Sequence, residues 1–150
     1  MKEQQYVSIR KAQLNDAAAI GLLSGELGYP ATEKEMKHRL EVLVSNPQNA
    51  VYVAEQEGIV GWIHVSTVES LESALSAEIR GLVVTDSHRG TGIGTRLVAE
   101  AEKWAIDKHC PRIRVRTNVV RAEAHAFYAK LGYRAKKTQD VFDKLLSTAG

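Results

Sequence analysis

The sequence has few of the features that mark secreted, membrane-bound or nucleic-acid-binding proteins. Its single cysteine, Cys110, excludes an internal disulfide and suits a reducing compartment. No apolar run approaches the ~20 residues that cross a bilayer, and the opening residues lack the pattern of a signal peptide. The net charge of +2 is too small to require a nucleic-acid partner. We therefore expect a soluble, cytoplasmic protein.

What the chain does contain is a regular succession of apolar patterns. With 150 residues, 44% of them hydrophobic, it suits one domain over residues 1–150. The patterns predict the order β-α-α-β-β-β-α-β-α-β, which is an α/β (α+β) fold with helices packed on a mixed sheet. The strands are predicted at 6–11, 50–54, 59–65, 77–85, 112–117 and within 133–145, and the later helices at 97–109 and 121–131.

Local signals support the helices and one irregular strand. Asn15 and Asp16 suit the start of the first helix, and Thr32 with Glu35 forms a capping box for the second. The second helix should pack through Met36, Leu40, Leu43 and Val44, and the helix at 97–109 through Leu97, Val98, Ala101, Trp104 and Ala105. Gly81 lies inside a predicted strand, where glycine often marks a bulge or a close approach to the backbone.

The segment His88 to Arg96 reads HRGTGIGTR, with glycines at alternate positions just before a helix. Glycine costs backbone entropy there, and close approach of main-chain N–H groups to an anion is one compensation. The spacing fits neither a dinucleotide fingerprint nor a Walker loop. Thr95 occupies the position where the fingerprint requires its third glycine and where the Walker loop requires a lysine. A flexible loop is the alternative interpretation.

Two motifs together resemble the GCN5-related N-acetyltransferase (GNAT) family. Arg89 to Gly94 matches its loop signature, Gln/Arg-x-x-Gly-x-Gly/Ala, and AHAFYAKLGY is similar to its later helix motif. The resemblance spans nearly the whole chain. It implies a mostly antiparallel central sheet with helices on both faces, and an enzyme that moves the acetyl group of acetyl-CoA directly to a primary amine.

The resemblance also implies where acetyl-CoA binds, with no metal. The pyrophosphate would lie on the amides of the glycine-rich loop, and the pantetheine arm would pair with the central strand. Where the family often carries an asparagine, this chain has Arg121, so Asn118 is the alternative contact. The implied cofactor-binding residues are Leu82, Val83, Val84, Arg89, Gly90, Thr91, Gly92, Ile93, Gly94, Thr95 and Asn118.

Two residues are the catalytic candidates. By resemblance, Tyr128 protonates the leaving thiolate, and a phenol of pKa ~10 can do so because the thiol pKa lies only slightly lower. Glu78 matches the glutamate that accepts the amine proton in some relatives. The alternatives are a Glu78 paired to a neighbouring arginine, with ordered water as the base, and a Tyr128 that only packs on the core. If the strand were regular, Glu78 would share a face with Arg80 and Leu82.

Other functions and other residues stay open. A non-catalytic acyl-CoA-binding regulatory domain is the main alternative, and a nucleic-acid binder using Arg112, Arg114 and Arg116 is disfavoured. Trp62 and His64 either line the substrate side or sit in the core, and His125 is expected on the surface. The acceptor is an amine-bearing small molecule or peptide, for which Glu26, Tyr29 and Glu33 are possible contacts. A homodimer is expected because many family members form one.

Overall fold

The computed structural model describes residues 6–26, 28, 30–116 and 122–147. The chain divides into two compact units, Met1–Arg116 and Thr117–Gly150. The first unit contains the sheet and three helices, and the second contains one helix and the segment that follows it. The single domain expected over residues 1–150 stays a prediction.

A five-stranded sheet forms the centre of the first unit. Its strands are β1 (Ser8–Lys11), β2 (Asn49–Glu55), β3 (Ile59–Val68), β4 (Ser76–Val84) and β5 (Ile113–Val115), in the spatial order β1-β2-β3-β4-β5. The β1–β2, β2–β3 and β3–β4 pairs are antiparallel, and β4–β5 is parallel. The mixed, mostly antiparallel sheet is therefore confirmed.

Two helices cover one face of this sheet. They are α1 (Ala17–Glu26) and α2 (Glu33–Val44), and they pack on β2 through a core cluster that includes Ile20, Leu40 and Val53. The predicted capping box is present, because the Glu35 N–H donates to Thr32 Oγ1 at 3.0 Å and the Thr32 N–H to Glu35 Oε1 at 2.9 Å. Val44 was wrongly placed in the core, since it is 49% exposed at the end of α2.

The opposite face is covered by α3 (Ile93–Asp107). A Cβ added to Gly61 of β3 would lie 3.2 Å from Leu97 and 3.5 Å from Ile93, whereas the next residue, Trp62, packs against the α1–α2 cluster. Neighbouring strand residues point to opposite faces, so the helices lie on both sides of the sheet. The helix begins four residues before the predicted start, and its predicted apolar face is buried throughout, at Leu97, Val98, Ala101, Trp104 and Ala105.

The middle of β4 is irregular. His64 of β3 pairs with Gly81 and the next residue, Val65, pairs with Ile79, so Arg80 is the extra residue of a β-bulge. The register shift thus adjoins Gly81, where a bulge was expected. Gly81 is also a place of close approach, because a Cβ there would lie 2.8 Å from the Trp62 ring.

The second unit begins, in its described part, with α4 (Ala122–Lys130). Gly132 follows it at a φ of +92° and its N–H donates to the Ala129 carbonyl, which confirms the predicted helix end. The strand predicted within 133–145 is wrong, because residues 133–147 have no regular secondary structure. Their apolar residues come in adjacent pairs, Val141–Phe142 and Leu145–Leu146, so an extended segment could not turn them all to one face.

Candidate active site

The glycine-rich loop connects β4 to α3. A short 3₁₀ turn at Asp86–His88 follows the strand, and Gly90 and Gly92 then take φ values of +79° and +88°. L-residues with a side chain rarely adopt this left-handed conformation. A Cβ at either glycine would meet nothing within 4 Å, so backbone conformation explains both glycines in the free chain, and space is left in front of them.

The loop leaves main-chain donors at the start of α3. Gly92 is the N-cap and provides no side chain to cap the helix, and the first bond within the helix runs from the Arg96 N–H to the Gly92 carbonyl. The N–H groups of Ile93, Gly94 and Thr95 therefore have no acceptor within the helix. Together with the helix dipole they favour an anion at this end.

Two side chains of the loop are engaged locally. Arg89, predicted to meet a phosphate, forms an ion pair of 3.0 Å with Asp86 and donates from Nε to the Val84 carbonyl at 3.4 Å. Thr91 Oγ1 donates to the His88 carbonyl. Arg89 is about half-exposed, so its guanidinium remains accessible to an anion on the loop.

The second half of β4 has an open edge in the described part of the chain. β4 pairs with β5 only over Ala77–Ile79, while its pairing with β3 continues to Val84. The Thr85 N–H donates to the Val60 carbonyl. In an antiparallel pair of strands, successive residues direct their backbone groups alternately towards the partner strand and away from it. Because Thr85 bonds to β3, Val83 also directs its backbone groups to β3, whereas Leu82 and Val84 direct theirs to the open edge. Of the three predicted pantetheine contacts, Leu82 and Val84 thus direct main-chain groups to this edge, where the Val84 carbonyl accepts from Arg89 Nε.

Edge and loop together suit one elongated ligand. The edge at Leu82 and Val84 offers hydrogen bonds to an extended chain bearing amides, and it runs directly into the amide-rich loop, which suits a diphosphate. Acyl-CoA has this composition, with an amide-bearing arm attached to a pyrophosphate. The residues present therefore fit the cofactor that the sequence predicts.

Glu78 lies in β4, two residues before the bulged residue Arg80, in a cluster of charged and polar groups. It is 4% exposed, and its two carboxylate oxygens accept from Arg80 Nη1 at 2.6 Å and from Arg116 Nε at 3.1 Å. Arg80 Nε also donates to Ser66 Oγ at 2.9 Å. Glu78 is thus paired to two arginines, the alternative that the sequence left open, and its role as a base stays a prediction.

The bulge also corrects the expected face of Glu78. It pairs with Ser66, and Leu82 pairs with Ile63 three residues earlier on the regular strand β3, so Glu78 and Leu82 point to opposite faces. Arg80 does lie beside Glu78, as expected, because the two residues are two positions apart in β4.

His64 and Trp62 continue this face along β3. His64 Nε2 lies 2.8 Å from Asn49 Oδ1, and burial, followed by the charge of Arg80, lowers the pKa of His64 to about 4. The imidazole is therefore neutral near pH 7. Trp62 Nε1 is buried without a hydrogen-bond partner in the described ranges. Asn49 and Ser66 were missed in the sequence, because only the strand register brings them to His64 and Arg80.

Tyr128 belongs to α4 in the second unit. Its ring forms edge-to-face contacts with Phe127 and Tyr133, at centroid distances of 5.0 and 5.5 Å. Only 8% of the residue is exposed, and burial raises the pKa of its phenol to about 12. The hydroxyl is therefore protonated at neutral pH, as a proton donor must be.

The remaining residues named in the sequence analysis lie in different parts of the chain. Asn118, Tyr29 and Arg121 lie outside the described residues. Glu26 accepts from Thr85 Oγ1 at 3.1 Å, and Glu33 is exposed at the start of α2. Of the basic residues at 112, 114 and 116, only Arg116 forms an ion pair with Glu78. His125 is exposed, as expected.

Two features of other protein classes are absent from the described ranges. No helix in them has the length and apolar character needed to cross a membrane. They also contain no group of three His, Cys, Asp or Glu residues arranged to hold a metal ion. An open cleft of about 370 Å³ lies on the α3 side, beside Tyr52 and Trp104, and contains none of the predicted site residues.

The chain is similar to known acetyltransferases. A family model described as the acetyltransferase (GNAT) family matches residues 15–133. The chain is also 33% identical over 115 residues to aminoalkylphosphonate N-acetyltransferase of Salmonella typhimurium, covering 75% of this chain and 72% of that enzyme. The chain belongs to the GNAT family and is an N-acetyltransferase.

Two further similarities agree with this assignment. A stretch of 57 residues is 37% identical to streptothricin acetyltransferase of Escherichia coli, covering 38% of this chain and only 33% of that enzyme. The solved structure of AAC(6')-Iy in complex with the bisubstrate analogue CoA-S-monomethyl-acetylneamine superimposes with a TM-score of 0.82. At 18% identity, covering 93% of this chain and 99% of that one, it supports the fold alone.

Proposed function

We propose that this enzyme transfers the acetyl group of acetyl-CoA directly to the primary amine of a small molecule. The observation that carries the proposal is the continuity of the open β4 edge at Leu82–Val84 with the glycine-rich loop at Arg89–Thr95. One ligand can then bind the edge through its amides and the loop through its diphosphate. The named relatives support an amine acceptor, since one is an aminoalkylphosphonate N-acetyltransferase and another is a streptothricin acetyltransferase.

The bound cofactor supplies an activated acetyl group, and the chain must hold it and manage protons. The N–H groups of Ile93, Gly94 and Thr95 would hold the pyrophosphate, and the outward groups of Leu82 and Val84 the arm. For Val84 this requires Arg89 to release its long hydrogen bond to the carbonyl, which would free the guanidinium for a phosphate. Asn118 is retained as a further proposed contact.

Tyr128 is the proposed general acid. Its phenol is protonated at neutral pH, so a proton is available when the thiolate leaves; burial raises its pKa further, which makes the transfer less favourable in the free enzyme. Glu78 is the proposed acceptor of the amine proton, acting through water because both of its oxygens are already paired to arginines. No covalent acetyl-enzyme is required, and burial also raises the pKa of the Cys110 thiol, which makes it a poor nucleophile.

Compartment and assembly are also part of the proposal. We place the enzyme in the cytoplasm, in keeping with its unpaired cysteine. A homodimer is supported by four apolar side chains at the end of the described chain, Val141, Phe142, Leu145 and Leu146, which are 79–94% exposed. Side chains this exposed favour burial against a partner. Sedimentation analysis should show a wild-type dimer, and a variant with serine at all four positions should be a monomer. A monomeric wild-type protein would refute the proposed homodimer.

A screen of amines tests the proposed activity. Purified enzyme is incubated with acetyl-CoA and single primary amines, free CoA thiol is measured continuously, and the product is identified by mass spectrometry. We expect thiol release that depends on the amine and yields an N-acetyl product. Tight acetyl-CoA binding without turnover on any amine would contradict the proposal and favour a non-catalytic acyl-CoA-binding regulatory domain.

A further inference from the structure

Glu78 is paired to two positively charged groups. Its carboxylate contacts the guanidiniums of Arg80 and Arg116, so these three groups by themselves carry a net charge of +1. His64 adds no charge at neutral pH, because burial and the Arg80 charge keep its pKa near 4. A single guanidinium would suffice to neutralise the Glu78 carboxylate.

Arg80 is the arginine with an accessible donor. Nε donates to Ser66 and Nη1 to Glu78, which fixes the plane of the guanidinium. Nη2 has no hydrogen bond in the part of the chain that the structure describes, and the side chain is 47% exposed. A guanidinium held on one side and open on the other is prepared to bind an oxyanion, since its remaining N–H groups are already oriented.

The position of Arg80 connects it to the site. It is the bulged residue of β4, immediately after Ile79, where the pairing of β4 with β5 ends. It therefore lies at the inner end of the open edge that the proposed acetyl-CoA arm follows. An acceptor whose amine reaches the acetyl group there would have the rest of its structure near Arg80.

We infer that Arg80 binds an anionic group of the acceptor, so that the preferred substrates are short primary amines bearing a phosphonate or a carboxylate. This inference rests on the proposed function and specifies its substrate class. In such a substrate the anion meets Arg80 Nη2, and the amine lies towards the inner end of the open edge, where the acetyl group is proposed to be. Glu78 then has a second task, because its carboxylate holds the Arg80 guanidinium in place.

Four amines of similar length test the inference. They are 2-aminoethylphosphonate, β-alanine, the neutral 3-aminopropan-1-ol and the cationic 1,3-diaminopropane. We expect kcat/KM to be at least about 10-fold higher for one or both anionic amines than for the other two. Comparison of the first two distinguishes a phosphonate site from a carboxylate site.

Substitutions then connect the preference to Arg80. Arg80→Gln should lower kcat/KM for the anionic amines by about 10- to 100-fold, mainly through KM, which is the loss expected for a charge-assisted hydrogen bond. The neutral amine should lose less than the anionic amines, because it makes no ion pair with Arg80, and Arg80→Lys should restore part of the loss. Arg112→Gln is the matched control, because it removes the same charge from an exposed arginine that is not part of the cluster.

Two results would overturn the inference while leaving the proposed function intact. One is a wild-type enzyme that prefers the neutral or cationic amine, and the other is an Arg80→Gln variant that loses activity equally on all four amines. Acetyl-CoA affinity and circular dichroism of each variant show whether the donor site and the fold are preserved. Failure to acetylate any amine would instead refute the proposed function, and this inference with it.

Discussion

Gly92→Ala separates the phosphate-binding role of the loop from its backbone conformation. Gly92 has a φ of +88°, and a Cβ there would meet nothing within 4 Å, so the cost in the free protein is conformational. Left-handed backbone typically costs a residue with a side chain about 1–2 kcal/mol, and we expect the unfolding free energy to fall by that amount.

The effect on acetyl-CoA binding should be larger. The new Cβ enters the open space at the loop, where the pyrophosphate is proposed to lie. Hydrogen bonds to a charged group contribute about 1.5–3 kcal/mol each, so losing two of them amounts to at least about 3 kcal/mol. The dissociation constant measured by calorimetry should therefore rise by about 100-fold or more.

Gly28→Ala is the matched control. Gly28 has a φ of +87°, also with nothing within 4 Å of an added Cβ, and it belongs to the α1–α2 connection and not to the glycine-rich loop. Denaturant unfolding should show similar losses of stability in both variants, and only Gly92→Ala should lose acetyl-CoA affinity. A folded Gly92→Ala protein that binds acetyl-CoA as the wild type does would refute the phosphate-binding interpretation.

Three other substitutions test the proton donor, the proposed base and the buried histidine. Tyr128→Phe should lower kcat by about 10²–10⁴-fold with acetyl-CoA affinity nearly unchanged. The loss of kcat should be smaller for a thioester with a more acidic leaving thiol, because that thiolate needs less help from a proton. An equal loss for both thioesters would mean that Tyr128 only positions the cofactor. Glu78→Gln should reduce turnover most at low pH, where fewer amine molecules have already lost their proton to solvent, and an unchanged pH profile would leave Glu78 a purely structural role. The pKa of His64 falls from 6.5 in the unfolded chain to about 4 on folding, so its neutral form stabilises the protein above pH 6.5 and about 2–3 kcal/mol is lost as the pH drops towards 4. Denaturation of His64→Gln over this range should show a shallower decline, and parallel curves would contradict the assignment.

The sequence predicted those parts of the fold that depend on local patterns. The apolar spacing around Leu97 and Trp104 predicted α3, and the Thr32–Glu35 capping box predicted the start of α2. The glycine-rich loop was predicted from its alternate glycines, and the structure explains two of them by their positive φ values. These features arise from interactions between residues close together in the chain.

The rest depends on contacts between distant residues. The bulge at Arg80 follows from the register of β3 against β4, which reversed the expected face of Leu82 relative to Glu78. The contact of His64 with Asn49 joins two strands across 15 positions, and no sequence motif indicates it. The missing last strand shows the same limit, since a strand requires a partner as well as a suitable composition.

The most direct test of the account is a single-turnover reaction that follows the acetyl group. Enzyme in excess is mixed with acetyl-CoA labelled with ¹³C in the acetyl group and with an accepted amine, then stopped at successive times. Mass spectrometry measures the label on the amine and on the protein, and a thiol assay measures free CoA. We predict that labelled N-acetyl product and free thiol appear together in equal amounts, with no label on the protein. Thiol release without acetylated amine, or a labelled protein that precedes the product, would contradict direct transfer.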